Sequence, residues 1–160
     1  MKKFGRLISL IGIFTLVLAA TAAWAQPGTG PGAGQGRGWG AGDSYNRLYN
    51  PKTVETLSGE VVSVDKFTPG ENMSSGVHFN LKTEKETIPV HLGPSWNLEK
   101  QAMTFAPGDK VEVTGSRITY EGKPTIIAGE VKKGGQVLKL RDAAGVPAWA
   151  GQGQGQGQRQ

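Results

Sequence analysis

The sequence predicts an all-β fold, namely a small five-stranded barrel with one short helix between strands 3 and 4. Residues 51–142 are the only stretch with regular apolar patterning, and these 92 residues are enough for one compact core. Segments within this stretch follow the order strand, strand, strand, helix, strand, strand. The chain has 25 Gly, 9 Pro and only 37% hydrophobic residues in 160, so we expect no second core outside it.

The first strand is predicted at residues 57–67, with the sequence LSGEVVSVDKF. Apolar and polar residues alternate along it except at Val61 and Val62, which are adjacent. Two adjacent apolar residues in an alternating strand are typical of a β-bulge or a sharp bend, and Gly59 suits the same bend.

A β-hairpin is predicted at residues 76–93, with its turn at Glu84 and Lys85. With the turn centred there, the numbers of paired residues sum to 169 and the apolar side chains share one face. His78 then lies opposite His91 on the other face, which we expect to be polar and exposed. The inward pairs are Val77 with Leu92, Phe79 with Val90 and Leu81 with Ile88; Asn80 with Pro89 and Lys82 with Thr87 complete the outer face.

The second half of the domain is predicted to contain a short helix and further strands. Residues 93–103 form a turn and the helix, with Ser95 as its N-cap. A strand at 106–117 and a hairpin at 118–131 follow, and a last short strand at 136–142 alternates less regularly. This order is the one expected of an OB-fold-like barrel. Residues available for burial here are Trp96, Leu98, Met103, Val111 and Val113.

Several segments resemble strands of small secreted bacterial OB-fold proteins. LSGEVVSVD, GDKVEVTGS and TIIAGEV look like the first, fourth and fifth strands of such proteins, and VHLGPSW resembles a segment of uncharacterised periplasmic proteins. The resemblance covers roughly residues 55–142. It implies a periplasmic, non-enzymatic binding domain, and members of the wider fold often bind nucleic acid. No catalytic residue is carried over from it.

The flanks of the domain have their own patterns. Residues 1–25 resemble a signal peptide, with a basic start, an apolar run and Ala23-Trp24-Ala25 at the cleavage site. An uncleaved membrane anchor is the alternative, for which the apolar run is short. Residues 26–50 are Gly-rich, and residues 143–160 end in GQGQGQGQRQ. We predict a flexible linker and a disordered tail there, and assign Trp39 and Trp149 no role.

Charge bears on nucleic-acid binding. The net charge of +5 falls to +2 without the three basic residues of the signal segment, because 18 minus 13 becomes 15 minus 13. Residues 51–142 contain 12 basic and 12 acidic residues, which argues against strong binding of a polyanion. Lys132 and Lys133, with Lys139 and Arg141, are a candidate local basic patch, and a solvated surface is the alternative.

The two histidines are the candidate metal ligands. Cross-strand neighbours have Cβ atoms about 5 Å apart, so His78 and His91 are able to share one cation. Met73 would add a thioether and favour copper(I), while Glu71 would add a carboxylate and suit zinc or copper(II). The alternative is that both imidazoles fill an exposed sheet face without binding anything.

Other chemistry has less support in the sequence. The absence of Cys excludes disulfides, thiolate zinc sites and covalent haem attachment. The chain has no GxSxG, SxxK or HExxH motif, so we expect no enzyme. We predict an exported binding module for a metal ion, a small ligand or an envelope protein, with nucleic acid as the alternative. Candidate contacts are Met73, His78, Asn80, His91 and Trp96, of which Trp96 is alternatively a buried plug.

Overall fold

The computed structural model describes residues 38–71 and 73–151, which form an all-β structure. Within the described residues there are six strands, two 3-10 turns at Asn46–Leu48 and Pro51–Thr53, and one short helix, α1. No helix within the described ranges is long and apolar enough to cross a membrane. The bounds are β1 Val54–Phe67, β2 Gly76–Lys82, β3 Thr87–Pro94, α1 Ser95–Leu98, β4 Lys110–Tyr120, β5 Lys123–Lys133 and β6 Gln136–Lys139.

The strands form one sheet that closes on itself. Their order is β3-β2-β1-β4-β5-β6 with antiparallel neighbours, and β3 also pairs in parallel with β5 through Val90 with Ile126 and His91 with Ile127. The predicted all-β class and the helix between the third and fourth strands are thereby confirmed. The sheet has six strands rather than five. The predicted strand at 106–117 and the first arm of the predicted hairpin form a single strand, β4, while the last short strand, β6, pairs with β5 where β3 does not reach.

The predicted irregularity in β1 is confirmed, and it lies next to the point where the strand changes from one partner to the other. The register with β2 shifts between Val61 and Ser63. Val61 is buried and Val62 is exposed, so the extra residue restores the apolar alternation. Residues 54–60 pair with β4, and residues 60–67 pair with β2.

The predicted hairpin register is confirmed for all but one of its inward pairs. His78 lies opposite His91, and the next four residues of β2 follow the same sum of 169. Phe79, Leu81 and their partners are buried. Val77, however, pairs with Gly93 instead of Leu92, because the register shifts between Val77 and His78.

The segments on either side of the sheet pack against it, so the predicted boundaries at residues 51 and 142 are wrong. Trp39 is 0% exposed and Trp149 is 2% exposed. The Trp39 indole donates to the Ser74 carbonyl at 2.9 Å, and the Trp149 indole donates to the Trp39 carbonyl at 2.9 Å. Burial of large aromatic surface offsets the entropy lost by ordering the chain. The predicted signal peptide, the first part of the predicted linker and the end of the tail lie outside the described residues.

Two glycines on the sheet make room for these indoles. A Cβ at Gly76 would lie 2.7 Å from ring atoms of both Trp39 and Phe67. A Cβ at Gly93 would lie 2.5 Å from the Trp149 ring. Both distances are far shorter than a van der Waals contact, so the close approach of ring to backbone requires glycine.

Arg141 is buried where β3 and β5 diverge beyond their short parallel pairing. Its Nη1 donates to the carbonyls of Ala128 at 2.6 Å and Leu92 at 3.3 Å. Its Nη2 donates to the Asn46 side chain at 3.5 Å, and its guanidinium lies 4.9 Å from the Trp149 ring centre. Burial lowers the pKa of Arg141 to about 10, so the group stays charged at neutral pH.

Substitution of Gly76 by alanine is expected to destabilise the protein by about 1 to 3 kcal/mol, because the added methyl overpacks against the two rings. Gly42→Ala is the matched control, since a Cβ there has no neighbour within 4 Å; it should change stability by less than about 0.5 kcal/mol. Urea unfolding followed by tryptophan fluorescence measures both. Equal effects would contradict the packing of Trp39 on Gly76.

Substitution of Arg141 by methionine is expected to cost about 2 to 4 kcal/mol, because two buried carbonyls lose a charged donor. Lys139→Met, which removes an exposed cation from β6, serves as the control and should be nearly neutral. The free energies of unfolding of both variants are compared with that of the wild type. A loss no larger than that of the control would show that Arg141 does not hold β3 to β5.

Candidate functional site

The histidine pair lies on the outer face of β2 and β3. His78 and His91 are register partners, and their ring centres are 5.6 Å apart with an angle of 45° between the ring planes. A zinc ion lies about 2.0 to 2.1 Å from an imidazole nitrogen, so two rings that share one ion have centres roughly 5 to 6 Å apart. The observed separation fits a shared cation.

His91 is buried, and the prediction that it lies on an exposed face is wrong. It is 4% exposed, because the segment that precedes β1 covers it. The Tyr45 hydroxyl is 2.7 Å from His91 Nδ1, and the two rings are nearly parallel at 24°. Phe67 and Tyr120 complete the surroundings, with ring centres 4.1 Å and 5.1 Å from that of His91.

The surroundings keep both partners of this hydrogen bond neutral. Burial, helped by the neighbouring His78 and the Arg141 cation, lowers the pKa of His91 to about 3. Burial also raises the pKa of the Tyr45 phenol well above its usual range. At neutral pH His91 therefore presents an uncharged imidazole, which is the form that binds metal ions.

His78 is half-buried and has an unpaired nitrogen. Its Nδ1 is shielded from solvent and has no hydrogen-bond partner, and Phe67 packs beside the ring at 5.4 Å. Within residues 38–71 and 73–151, no hydrogen bond reaches the Nε2 atom of His78 or His91. A buried polar atom without a partner costs free energy. A ligand that bound Nδ1 of His78 would therefore be stabilising.

The third predicted ligand, Met73, has a packing role in the structure. It lies against Gly38, where an added Cβ would overlap the Met73 side chain, and its sulfur is 3.5 Å from the position of a Cβ at Gly70. In the part of the chain that the structure describes, no group of three or more His, Asp or Glu residues is arranged to hold a metal ion. His78 and His91 are the candidate ligands that the structure brings together.

Two further predicted contacts lie on different parts of the surface. Asn80 is half-buried on the same face of β2 as His78, and its amide donates to the Ser63 hydroxyl at 2.8 Å. Trp96 lies on α1, half-buried, with the Lys100 ammonium 5.2 Å from its ring centre and its own indole N–H buried without a partner. Asn80 borders the histidine pair, whereas Trp96 packs against the core from the helix.

The residues of the predicted basic patch do not form one exposed cationic surface. Lys132 contacts Glu112 at 3.1 Å and Glu130 at 3.7 Å. Lys133, the next residue of β5, contacts Asp109 at 2.7 Å; successive residues of a strand point to opposite faces. Arg141, a further member of the patch, is buried as described above.

Sequence reasoning missed Tyr45, which contacts the site most closely. It falls in the range predicted to be a flexible linker. The signal that could have found it is the cluster of Trp39, Tyr45 and Tyr49 at the end of the Gly-rich stretch, because flexible linkers contain few aromatic residues.

Burial of His91 makes folding stability depend on pH. The unfolded chain binds a proton at this imidazole below about pH 6.5, whereas the folded chain does so only near pH 3. Stability from this group is therefore complete above pH 6.5 and falls as the pH is lowered, by at most about 1.4 kcal/mol per pH unit. Urea unfolding between about pH 6.5 and 4.5 measures the slope.

Between pH 6.5 and 4.5, the effect of His91 on folding stability can be measured apart from the effect of the carboxylates. Cationic partners lower the pKa of Glu60, Glu86 and Asp109, and these groups contribute a fall of the same sign only at lower pH, below about 4.5. We expect His91→Gln to remove most of the slope above pH 4.5. An unchanged slope in that variant would contradict the neutral, buried state of His91.

Comparison with known proteins adds the relationship of the chain to a family. A search of curated proteins finds no match. A family model, described as the MamS/MamX magnetosome protein family, matches residues 53–138, which is more than half of the 160 residues. The match contains both histidines and nearly all of the sheet but not Tyr45 or Arg141. The chain belongs to the MamS/MamX magnetosome protein family.

Proposed function

We propose that the protein is an exported, non-enzymatic binding module of OB-fold type that acts in the periplasm or cell envelope and binds copper or zinc through His78 and His91. One observation carries the proposal: two imidazoles lie on neighbouring strands with ring centres 5.6 Å apart, His78 has an unpaired Nδ1, and only Nδ1 of His91 is taken up by Tyr45. The family description connects its members with the magnetosome, and the signal-like pattern of residues 1–25 supports export.

Copper is the better match of the two metals. Structural zinc sites are almost always tetrahedral with four protein ligands, and this site supplies two side chains. At a given nitrogen site copper(II) binds more tightly than the other divalent metals of the first row. We therefore expect copper(II) to bind here with water completing its coordination, and zinc to bind more weakly.

A non-enzymatic role is supported by the state of the surface carboxylates. Glu60, Glu86 and Asp109 are each held by a cationic side chain, Lys110, Arg117 and Lys133 respectively. These contacts lower the pKa of each carboxyl group. A carboxyl group that acts as a general acid needs a pKa raised towards neutral pH. The lowered pKa of these three groups therefore suits a role in ion pairing better than one in acid catalysis.

An envelope protein is a second candidate ligand, favoured by one groove. About 220 Å³ of space lies beside α1, somewhat more than a cavity of about 150 Å³ that accommodates benzene. An exposed pair, Lys66 and Glu99, lies at its rim with a separation of 3.9 Å. The groove suits one apolar side chain of a partner. Its apolar lining comprises Val64, Val77, Leu98, Met103 and Phe105.

Copper binding is tested on the mature chain without an affinity tag, because the sequence contains only two histidines. Titration calorimetry should give one copper(II) ion per chain with micromolar affinity, and electron paramagnetic resonance should show coupling to imidazole nitrogen. His78→Gln should weaken binding at least tenfold. Met73→Leu is the matched control and should leave the affinity unchanged, since the thioether packs on Gly38.

Two outcomes would overturn the proposal. One is copper affinity that survives in the His78→Gln, His91→Gln double variant, which would locate any bound copper elsewhere on the chain. The other is no copper or zinc binding by the wild type. A single-stranded oligonucleotide added in parallel tests the nucleic-acid alternative, for which the ion-paired Lys132 and Lys133 predict no binding.

A further inference from the structure

The segment that precedes β1 reaches the histidine pair through one side chain. Tyr45 is buried, and its hydroxyl is 2.7 Å from His91 Nδ1. Tyr120 packs against the same imidazole, yet its hydroxyl donates to the Pro69 carbonyl at 3.2 Å. In the described part of the chain, Tyr45 is thus the only hydrogen-bond partner of the His91 ring.

Tyr45 is held firmly in this position. Trp39 meets its ring edge-on with centres 5.2 Å apart. The next residue, Asn46, is buried and donates to the Gly40 carbonyl at 2.9 Å while accepting from Arg141. These contacts fix the hydroxyl relative to β3, because one holds the Tyr45 ring itself and the others hold the residue that follows it.

The chemistry of metal binding gives this hydrogen bond a direction. An imidazole that binds an ion through Nε2 carries its proton on Nδ1 and donates it to a nearby oxygen. The hydroxyl of tyrosine is able to accept such a bond. With Nδ1 occupied by Tyr45, Nε2 is the nitrogen of His91 that remains for the ion.

We infer that Tyr45 is a positioning residue of the metal site, which orients His91 and reserves its Nε2 for the ion. The inference rests on the proposed function and deepens it. It makes the segment at residues 38–50 part of the site, although this segment precedes the residues 53–138 that match the family. The neutral His91 ring carries one proton, and where that proton resides on Nε2 in the free protein, metal binding requires it on Nδ1; the ring keeps one proton and its charge does not change.

The test is Tyr45→Phe, which removes the hydroxyl and retains the ring, with Tyr120→Phe as the matched control. Copper(II) affinity of Tyr45→Phe should fall about 10- to 100-fold, while that of Tyr120→Phe should stay within about twofold. Circular dichroism and urea unfolding confirm that both variants are folded. Equal affinity in Tyr45→Phe and the wild type would overturn the inference.

A second measurement reads the position of the proton, which a purely structural role of Tyr45 would not change. Long-range ¹H–¹⁵N NMR of the wild type with zinc, a diamagnetic ion, should show His91 bound through Nε2 and protonated at Nδ1. The apo wild type should show one tautomer and apo Tyr45→Phe a mixture of two. Binding through Nδ1, or one unchanged tautomer in apo Tyr45→Phe, would also overturn the inference.

The two proposals fail in different ways. If the wild type binds neither copper nor zinc, the proposed function is wrong and the inference falls with it. If the wild type binds copper through both histidines and Tyr45→Phe binds it equally well, only the positioning role is wrong.

Discussion

A buried guanidinium connects the closed sheet to the segments that cover it. The parallel pairing of β3 with β5 spans two residues on each strand, and Arg141 bridges the strands where they diverge. A buried cation is costly unless its N–H groups find acceptors. Two backbone carbonyls and the Asn46 amide accept from Nη1 and Nη2, and the Trp149 ring packs against the guanidinium. Among the described residues, no group accepts from the buried Nε. Because the accepting groups and the ring come from the sheet and from both flanking segments, closure of the sheet and formation of the aromatic cover depend on each other.

The pairing of the strands could be predicted where apolar and polar residues alternate strictly along the sequence. Apolar alternation in the hairpin determined which residues face each other, since a slip of one residue would have turned its apolar side chains outward. Adjacent Val61 and Val62 revealed the bulge for the same reason. The shift at Val77 was not predictable, because Leu92 remains buried in either register and the apolar pattern does not distinguish them.

The histidine pair was predictable, but its surroundings were not. The hairpin register placed His78 opposite His91 without knowledge of any other strand. The cover over His91 comes from residues 46 positions earlier in the chain, and composition alone assigned those residues to a linker. Whether a Gly-rich segment orders depends on whether its few aromatic side chains find a surface, and here Gly76 and Gly93 provide one. Such long-range complementarity of ring and backbone has no periodic signature in the sequence.

The bond between the Trp149 indole and the Trp39 carbonyl brings the two ends of the folded region together. Tension that pulls these ends apart therefore acts first on this contact. The flanking segments would detach from the sheet one contact at a time, and the force would not act on the hydrogen bonds between strands until they had detached. Tyr45 would leave with the first segment, and His91 would be exposed to solvent before the sheet itself is strained. Under load, the two flanking segments of the described residues would thus open first, and the histidine pair would lose its cover while its strands remain paired.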